Sequence, residues 1–213
     1  LEHNGNAGVL MIDRKTGGVK TTPVWLPAGS ISYTNGLAIC GTGTVAELQS
    51  VDLFQQVNVT VANGGRFAAG GSLSWANLSV LNAGQLLLSG TNQVLAPLVI
   101  NRGTAEVNGV LAAPDIVLTN AGTLTHSAAN AGQEYRLELA ASNSISISSN
   151  SAINVNGKGY AAGRTWPNTT TNASTGYSGG SYGGLGGVNS GVVNPVYGDA
   201  KNPNEPGSGG SSG

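Results

Sequence analysis

The sequence predicts an all-β protein built as a right-handed parallel β-helix, or β-solenoid, and three observations carry that expectation. Asn63, Asn82, Asn101 and Asn120 are evenly spaced, each number 19 above the last, and each has a glycine two places on: Gly65, Gly84, Gly103 and Gly122. The columns around these corners agree. Val61, Val80, Val99 and Leu118 stand two places before the asparagine, and Phe67, Leu86, Ala105 and Leu124 stand four after it; all eight are expected to face inward. Between corners the apolar residues alternate with small polar ones, as in "VNVTV" from Val57 and "GTLTH" from Gly122, which is the period of a strand. A fixed period of strand, corner, strand stacks its rungs about 4.8 Å apart and pairs each strand with the one below.

The elements follow in order. Residues 1–55 show no readable period, although "VWLPAGSISYTNGLAIC" from Val24 has strand composition; they are expected to form an N-terminal cap with irregular first rungs, because the open end of a β-stack has to be covered. Residues 56–157 carry the regular coils. At each corner the asparagine is suited to the left-handed conformation, and its amide can bond the equivalent amide one rung away. The columns have defects: Pro97 replaces an apolar strand residue, and His126 falls in the column of Ala69, Leu88 and Val107. After Asn120 the next corner candidate is Asn143, later than the period would place it, so an insertion is expected near "SAANAG" from Ser127. "EYRLELAASNSISISSNSAINVNGKG" resumes the coil, with Tyr135, Leu137 and Leu139 on one face and Glu134, Arg136 and Glu138 on the outer one. Trp25 and Trp75 are expected to cover the ends or edge of the coil. A leucine-rich repeat, the nearest competitor at this period, needs a register and a helical return that are absent from the sequence.

Composition narrows the function. Charged residues make up 9% of the 213-residue chain, glycine numbers 34 and the net charge is −1. In a solenoid like residues stack at strand spacing, so a charged column would repel itself along its length; Ser, Thr and Asn avoid that cost. The scattered Lys and Arg argue against a nucleic-acid surface and against an anionic-membrane patch. Cys40 is the single cysteine, so neither an internal disulfide nor a thiolate metal cluster is expected. No run approaches the roughly 18 apolar residues of a membrane span, and direct membrane insertion is not expected. The chain opens on Leu1 rather than methionine, as a segment excised from a longer protein would. Four Asn-x-Ser/Thr sequons, at Asn58, Asn77, Asn168 and Asn172, are as many as this composition yields by chance.

Residues 158–213 change texture. The stretch is rich in glycine, yet Tyr160, Trp166, Tyr177, Tyr182, Leu185 and Tyr197 are interleaved with the glycines, which points to an ordered loop segment packed on the coil or leading to a following module rather than to a linker. "INVNGKGYAAGRT", "SGGSYGGLGG" and "VYGDAKNPNEPGSGG" resemble a glycine-rich segment that recurs in very large secreted or surface proteins of bacteria, adhesin-like and some carrying Rhs-type repeats or laminin-G-like modules. The resemblance covers residues 101–213. It implies an extracellular or cell-surface, non-catalytic piece of a larger polypeptide whose partners are its flanking domains and surface components, and it supplies no catalytic residues.

The residues themselves point the same way. A β-helical polysaccharide lyase needs clustered carboxylates on adjacent rungs to hold Ca²⁺, with a basic residue beside them. Glu106 instead shares a column with Ala68, Leu87 and Thr125, and Asp115 has Ala96 one period before it, while Glu134, one period after it, lies beyond the expected insertion that breaks the register. "GGSYGGLGG" lacks the Gly-Lys-Ser/Thr ending of a phosphate loop. His3 and His126 are the only histidines, too few for a His-rich metal site, and His126 reads as a partly exposed strand residue. No cofactor and no metal site are expected. The candidate ligand-binding residues are Trp166, Tyr177, Tyr182, Tyr197 and Asp199: aromatic rings stack on sugar faces while Asp and Asn bond hydroxyls. Packing the loop onto the coil is the reading these rings favour over ligand contact, and Asp199 in "YGDAKNP" fits a turn better than a Ca²⁺ site. The sequence thus predicts a structural or adhesive β-helix module of a large secreted or cell-surface protein, with any ligand contact, such as one to glycans, made by the Gly/Tyr-rich loop. The alternatives are a polysaccharide lyase or hydrolase on the same fold, and a shell or delivery module of an Rhs-like toxin.

Overall fold

The computed structural model describes residues 9–13, 24–26, 36–42, 44–48 and 57–211. The strands are β1 (Val9–Asp13), β2 (Val24–Leu26), β3 (Gly36–Cys40), β4 (Val45–Leu48), β5 (Val57–Ala62), β6 (Arg66–Leu81), β7 (Gln85–Val94), β8 (Leu98–Asn101), β9 (Thr104–Thr119), β10 (Thr123–Thr125), β11 (Leu137–Ile147) and β12 (Ala152–Ile153). They form one parallel sheet wound as a β-solenoid. The chain divides into two compact units, one of residues Leu1–Thr125 with Leu137–Asn154 and one of His126–Arg136 with Val155–Gly213. The first is the solenoid. Its pairing extends into the amino-terminal region, where β1 lies against β3 and β2 against β4. There the spacing is irregular: Ala46 pairs Phe67 and Leu37 pairs Val59, two unequal intervals that both exceed the regular one. That is why no period is readable before residue 56.

The regular rungs have three sides. The first bears the column Ala46, Phe67, Leu86, Ala105 and Leu124, all buried. The second bears Leu73, Asn92 and Leu111, followed by Trp75 and Val94. The third bears Leu98, Ile116 and Ile145, then Val80, Ile100, Leu118 and Ile147. Stacked columns of this kind bury their apolar surface against the rung above and below, and this is the main force holding the fold.

At the first corner Asn63 and Gly64 have φ of 52° and 80°, Asn82 and Ala83 46° and 63°, and Asn120 and Ala121 51° and 65°. The N–H groups of Gly65, Gly84 and Gly122 close each turn on the carbonyls of Ala62, Leu81 and Thr119, at 2.9 Å. Two positive φ values inside such a hydrogen bond define a type I′ turn. The glycines two places after the asparagines are there for space. A Cβ on Gly65, Gly84 or Gly122 would lie 2.6, 2.3 or 2.2 Å from the carbonyl oxygen of Ile39, Val61 or Ile100 on the rung below.

Asn101 departs from this pattern. It ends β8, and the residue with positive φ is Arg102, at 54°. The register explains the difference. Val80 pairs Ile100, one place beyond the regular interval, and Ile100 pairs Leu118, one place short of it. This rung gains a residue around Leu95, Ala96 and Pro97 and loses one at its first corner, so the regular interval between asparagines survives a slip of one. Because side chains alternate, a slip of one exchanges the faces. Val99, expected in the inward column, is half-exposed, and Ile100 takes its place with no exposed surface. The asparagine ladder is made from Asn120 Nδ2 to Asn101 Oδ1 at 3.1 Å. Asn82 reaches Asn101 through the backbone, its N–H donating to the Asn101 carbonyl at 3.0 Å.

A second corner has its own column. Gly71, Gly90 and Gly109 pair across successive rungs with φ of 106°, 81° and 143°, conformations that only glycine adopts without strain. The insertion lies where Leu124 pairs Ile153, well beyond the regular interval, and His126–Arg136 is the segment set apart. The corner after it is the turn closed by Ser151 N–H on the Ser148 carbonyl at 2.9 Å. Asn143 is therefore no corner residue: it lies on β11 and donates to Asp115 Oδ1 at 2.8 Å, beside Ser144, whose hydroxyl donates at 2.6 Å.

Two further expectations are corrected. Trp75 is wholly buried inside the solenoid, its ring edge-on to Phe67 with centroids 5.9 Å apart. Its Nε1–H donates to Asn92 Oδ1 at 3.2 Å, and Asn92 Nδ2 donates to the Ser89 carbonyl. A tryptophan that finds an acceptor for its N–H can occupy a core, and Asn92 supplies it from an inward column. The side chain of Trp25 lies outside the described residues. His126 is buried rather than partly exposed, with Nδ1 2.8 Å from the Ser127 carbonyl.

Candidate functional site

The second unit contains few buried apolar side chains, Tyr160 and Ala173 being the fully buried ones described. Its interior is polar and centres on Asn194, which has no exposed surface. Asn194 Nδ2 donates to Thr165 Oγ1, the Ser181 carbonyl and the Pro195 carbonyl, at 3.1, 3.3 and 2.9 Å. Its Oδ1 accepts from Ser181 N–H at 2.6 Å and from Ser174 Oγ at 3.0 Å. Around this hub the glycines let backbone run against backbone. A Cβ on Gly209 would lie 2.1 Å from the Ala161 carbonyl oxygen, and one on Gly180 2.4 Å from that of Ser208. Glycine here replaces the apolar core with close-packed, hydrogen-bonded chain.

The structure brings three of the five candidate ligand-binding residues together. Trp166 stacks on Tyr197, with centroids 6.5 Å apart and planes 24° from parallel, and Tyr182 meets Tyr197 edge-on at 5.2 Å. The hydroxyls of the two tyrosines are committed internally. Tyr197 donates to the Pro206 carbonyl at 2.6 Å and accepts from Ser208 Oγ, while Tyr182 donates to Glu205 Oε2 at 2.9 Å and accepts from Asn204 N–H. Gly198 is fixed by this packing, since a Cβ there would lie 2.4 Å from the Tyr182 ring. Trp166 is anchored by its neighbours. Thr165 and Thr169 exchange backbone hydrogen bonds at 2.9 and 2.8 Å, and Arg164 holds the same loop through Asn168 and the Ala131 carbonyl. With Tyr197 behind it, the indole still leaves 53% of the side chain in solvent.

Asp199 stands two places beyond Tyr197 and accepts from Lys201 N–H at 2.8 Å, the local turn its sequence favours. Tyr177 belongs to a different turn. Gly176 and Tyr177 both have positive φ, at 56° and 62°, and Ser178 N–H closes on the Thr175 carbonyl at 3.2 Å, leaving Tyr177 68% exposed at the tip. Among the described residues no group of three His, Cys, Asp or Glu side chains converges, and no helix is long and apolar enough to cross a membrane. Sequence reasoning missed Asn194 and Asn92. Neither stands in a periodic polar column, and only the folded chain shows that each is wholly buried.

Burial raises the Tyr160 phenol above its ordinary value, and Glu134, whose Oε1 accepts the Tyr160 hydroxyl at 3.0 Å, raises it further. Burial likewise raises Tyr197. A phenol that holds its proton more tightly folded than unfolded contributes stability below the unfolded value, near pH 10, and loses it as pH rises further. The denaturant midpoint of this unit is thus expected to hold steady from neutral pH to about pH 9 and fall above about pH 10. Tyr160→Phe should flatten that fall, as read from urea titrations across the alkaline range.

Fold and site together define a β-solenoid joined to a glycine-rich, polar-cored unit that presents a ring stack. No protein-family model, curated protein or solved structure matches the chain.

Proposed function

We propose that this chain is a non-catalytic structural module of a large secreted or cell-surface protein, and that it contacts glycans through Trp166 and the tyrosines behind it. The stacked pair Trp166–Tyr197 supports this reading. A half-exposed indole backed by a second ring, with its loop tied down on both sides, is a rigid flat surface of the kind that sugar rings stack on. The outward columns of the solenoid, such as Arg66, Gln85 and Thr104 or Ala68, Leu87 and Glu106, carry few charges. The resemblance of residues 101–213 to a segment of bacterial surface proteins supports the extracellular setting.

The test is a pull-down of the whole chain against soluble and insoluble polysaccharides, with reducing and unsaturated ends assayed in the same tubes. Saturable binding without turnover is expected. Trp166→Ala should weaken it by about tenfold, the size of one lost stacking contact with its buried area. Release of new chain ends would sink the non-catalytic reading, and binding unchanged by Trp166→Ala would move the contact elsewhere.

A further inference from the structure

The last rung of the solenoid leaves its inward columns uncovered. Ile116 and Leu118 on β9 have no exposed surface, whereas Ile145 and Ile147, their partners on β11, are each 45% exposed. Every residue from Ser142 to Ile147 is exposed. Among the described residues β11 pairs with β9 alone, so its other edge offers free backbone groups. Ser148 N–H donates to the Leu118 carbonyl at 2.9 Å, and this fixes the phase of the strand. Ser144 and Ser146 direct their N–H and C=O toward β9, as Ser148 does its N–H, and Ile145 and Ile147 direct theirs outward. An apolar, unpaired edge of this kind is a template for another strand.

We propose that this edge pairs with the same edge of a second copy, antiparallel across Ser144–Ser148 about a two-fold axis at Ser146. The occupant is indicated by the sequence of the edge itself. Ser144-Ile145-Ser146-Ile147-Ser148 reads the same in both directions, so an antiparallel copy sets Ile145 opposite Ile147 and Ser146 opposite itself. The outward-directed N–H and C=O groups of Ile145 and Ile147 then meet as narrow pairs that exchange both hydrogen bonds, while Ser146 forms the wide pair on the axis. Both isoleucines face the core side, so each copy covers the other's open columns, and the serines stay in solvent. The chain carries no charge between Glu138 and Lys158, so two copies approach without repulsion along the edge.

Sedimentation of the whole chain over a range of concentrations tests this. A reversible dimer is expected, and a monomer up to millimolar concentration overturns the proposal. Ser146→Arg and Ser146→Glu each put like charges face to face on the axis and should weaken the dimer by at least about tenfold. An equimolar mixture of the two should restore it. A dimer indifferent to both substitutions, or a mixture no tighter than either variant alone, overturns the register. Ser146 is exposed, so the thermal transition of either variant should match that of the parent. As a second measurement, Ser146→Cys should form a covalent dimer on mild oxidation, and failure to cross-link would contradict the axis.

Discussion

Gly122→Ala is expected to lower the stability of the solenoid by more than about 3 kcal/mol. The added methyl would sit 2.2 Å from the Ile100 carbonyl oxygen and 3.1 Å from that of Thr119. Both are backbone atoms held in the stack, so neither can swing aside as a side chain could, and two rungs must separate to admit the group. Gly84→Ala, 2.3 Å from the Val61 carbonyl oxygen, should behave alike. Gly103→Ala should be the mildest of the series, because the atom it first meets is Val80 Cγ1, at 2.7 Å, and the backbone oxygen stands off at 3.0 Å. Urea unfolding of the three variants checks the order. Equal losses at all three positions would show that the distance to the nearest backbone oxygen does not set the cost.

Asn194→Leu is expected to cost the glycine-rich unit more than about 3 kcal/mol although it conserves volume. Leucine can neither accept from Ser181 N–H and Ser174 Oγ nor donate to Thr165 Oγ1 and the Ser181 and Pro195 carbonyls. Those groups would be left buried without their partner, which costs more than the net worth of the bonds themselves. Asn194→Asp should also be damaging, since a carboxylate cannot donate to those three acceptors. Hydrogen exchange across Ser174–Ser181 and around Asn194 should accelerate in both variants. Exchange unchanged from the parent would mean that the close-packed glycine backbone, and not the asparagine, holds the unit together.

The solenoid was legible in the sequence because its physics repeats. Asn63, Asn82 and Asn120 occupy left-handed corners as their spacing implies, and Phe67, Leu86, Ala105 and Leu124 stack in one column. The slip that puts Ile100 inside and Val99 outside was hidden, since a gain of one residue near Pro97 and a loss of one at the Asn101 corner leave the interval between asparagines unchanged. The corner of Gly71, Gly90 and Gly109 has the same interval, but glycine is so frequent in this chain that the column does not stand out. The polar interior around Asn194 has no period at all. Its partners Thr165, Ser174 and Ser181 come together through loops whose course depends on where glycine allows two backbones to meet, and local sequence does not record that. The candidate ring stack was legible as composition, and the pairing of Trp166 with Tyr197 rather than with Tyr177 was not.

Parallel rungs also decide how such a chain yields to force. The inter-strand hydrogen bonds of the solenoid run along its axis, from β6 to β7 to β9 and on to β10 and β11. Tension applied along that axis therefore peels one rung from the next, breaking bonds in sequence rather than shearing a whole ladder at once. Each regular rung so released adds roughly 65 Å of extended chain at about 3.4 Å per residue. Under load the solenoid is a stepwise extensible spring, stiff while its rungs are closed and lengthening by a fixed increment each time one opens.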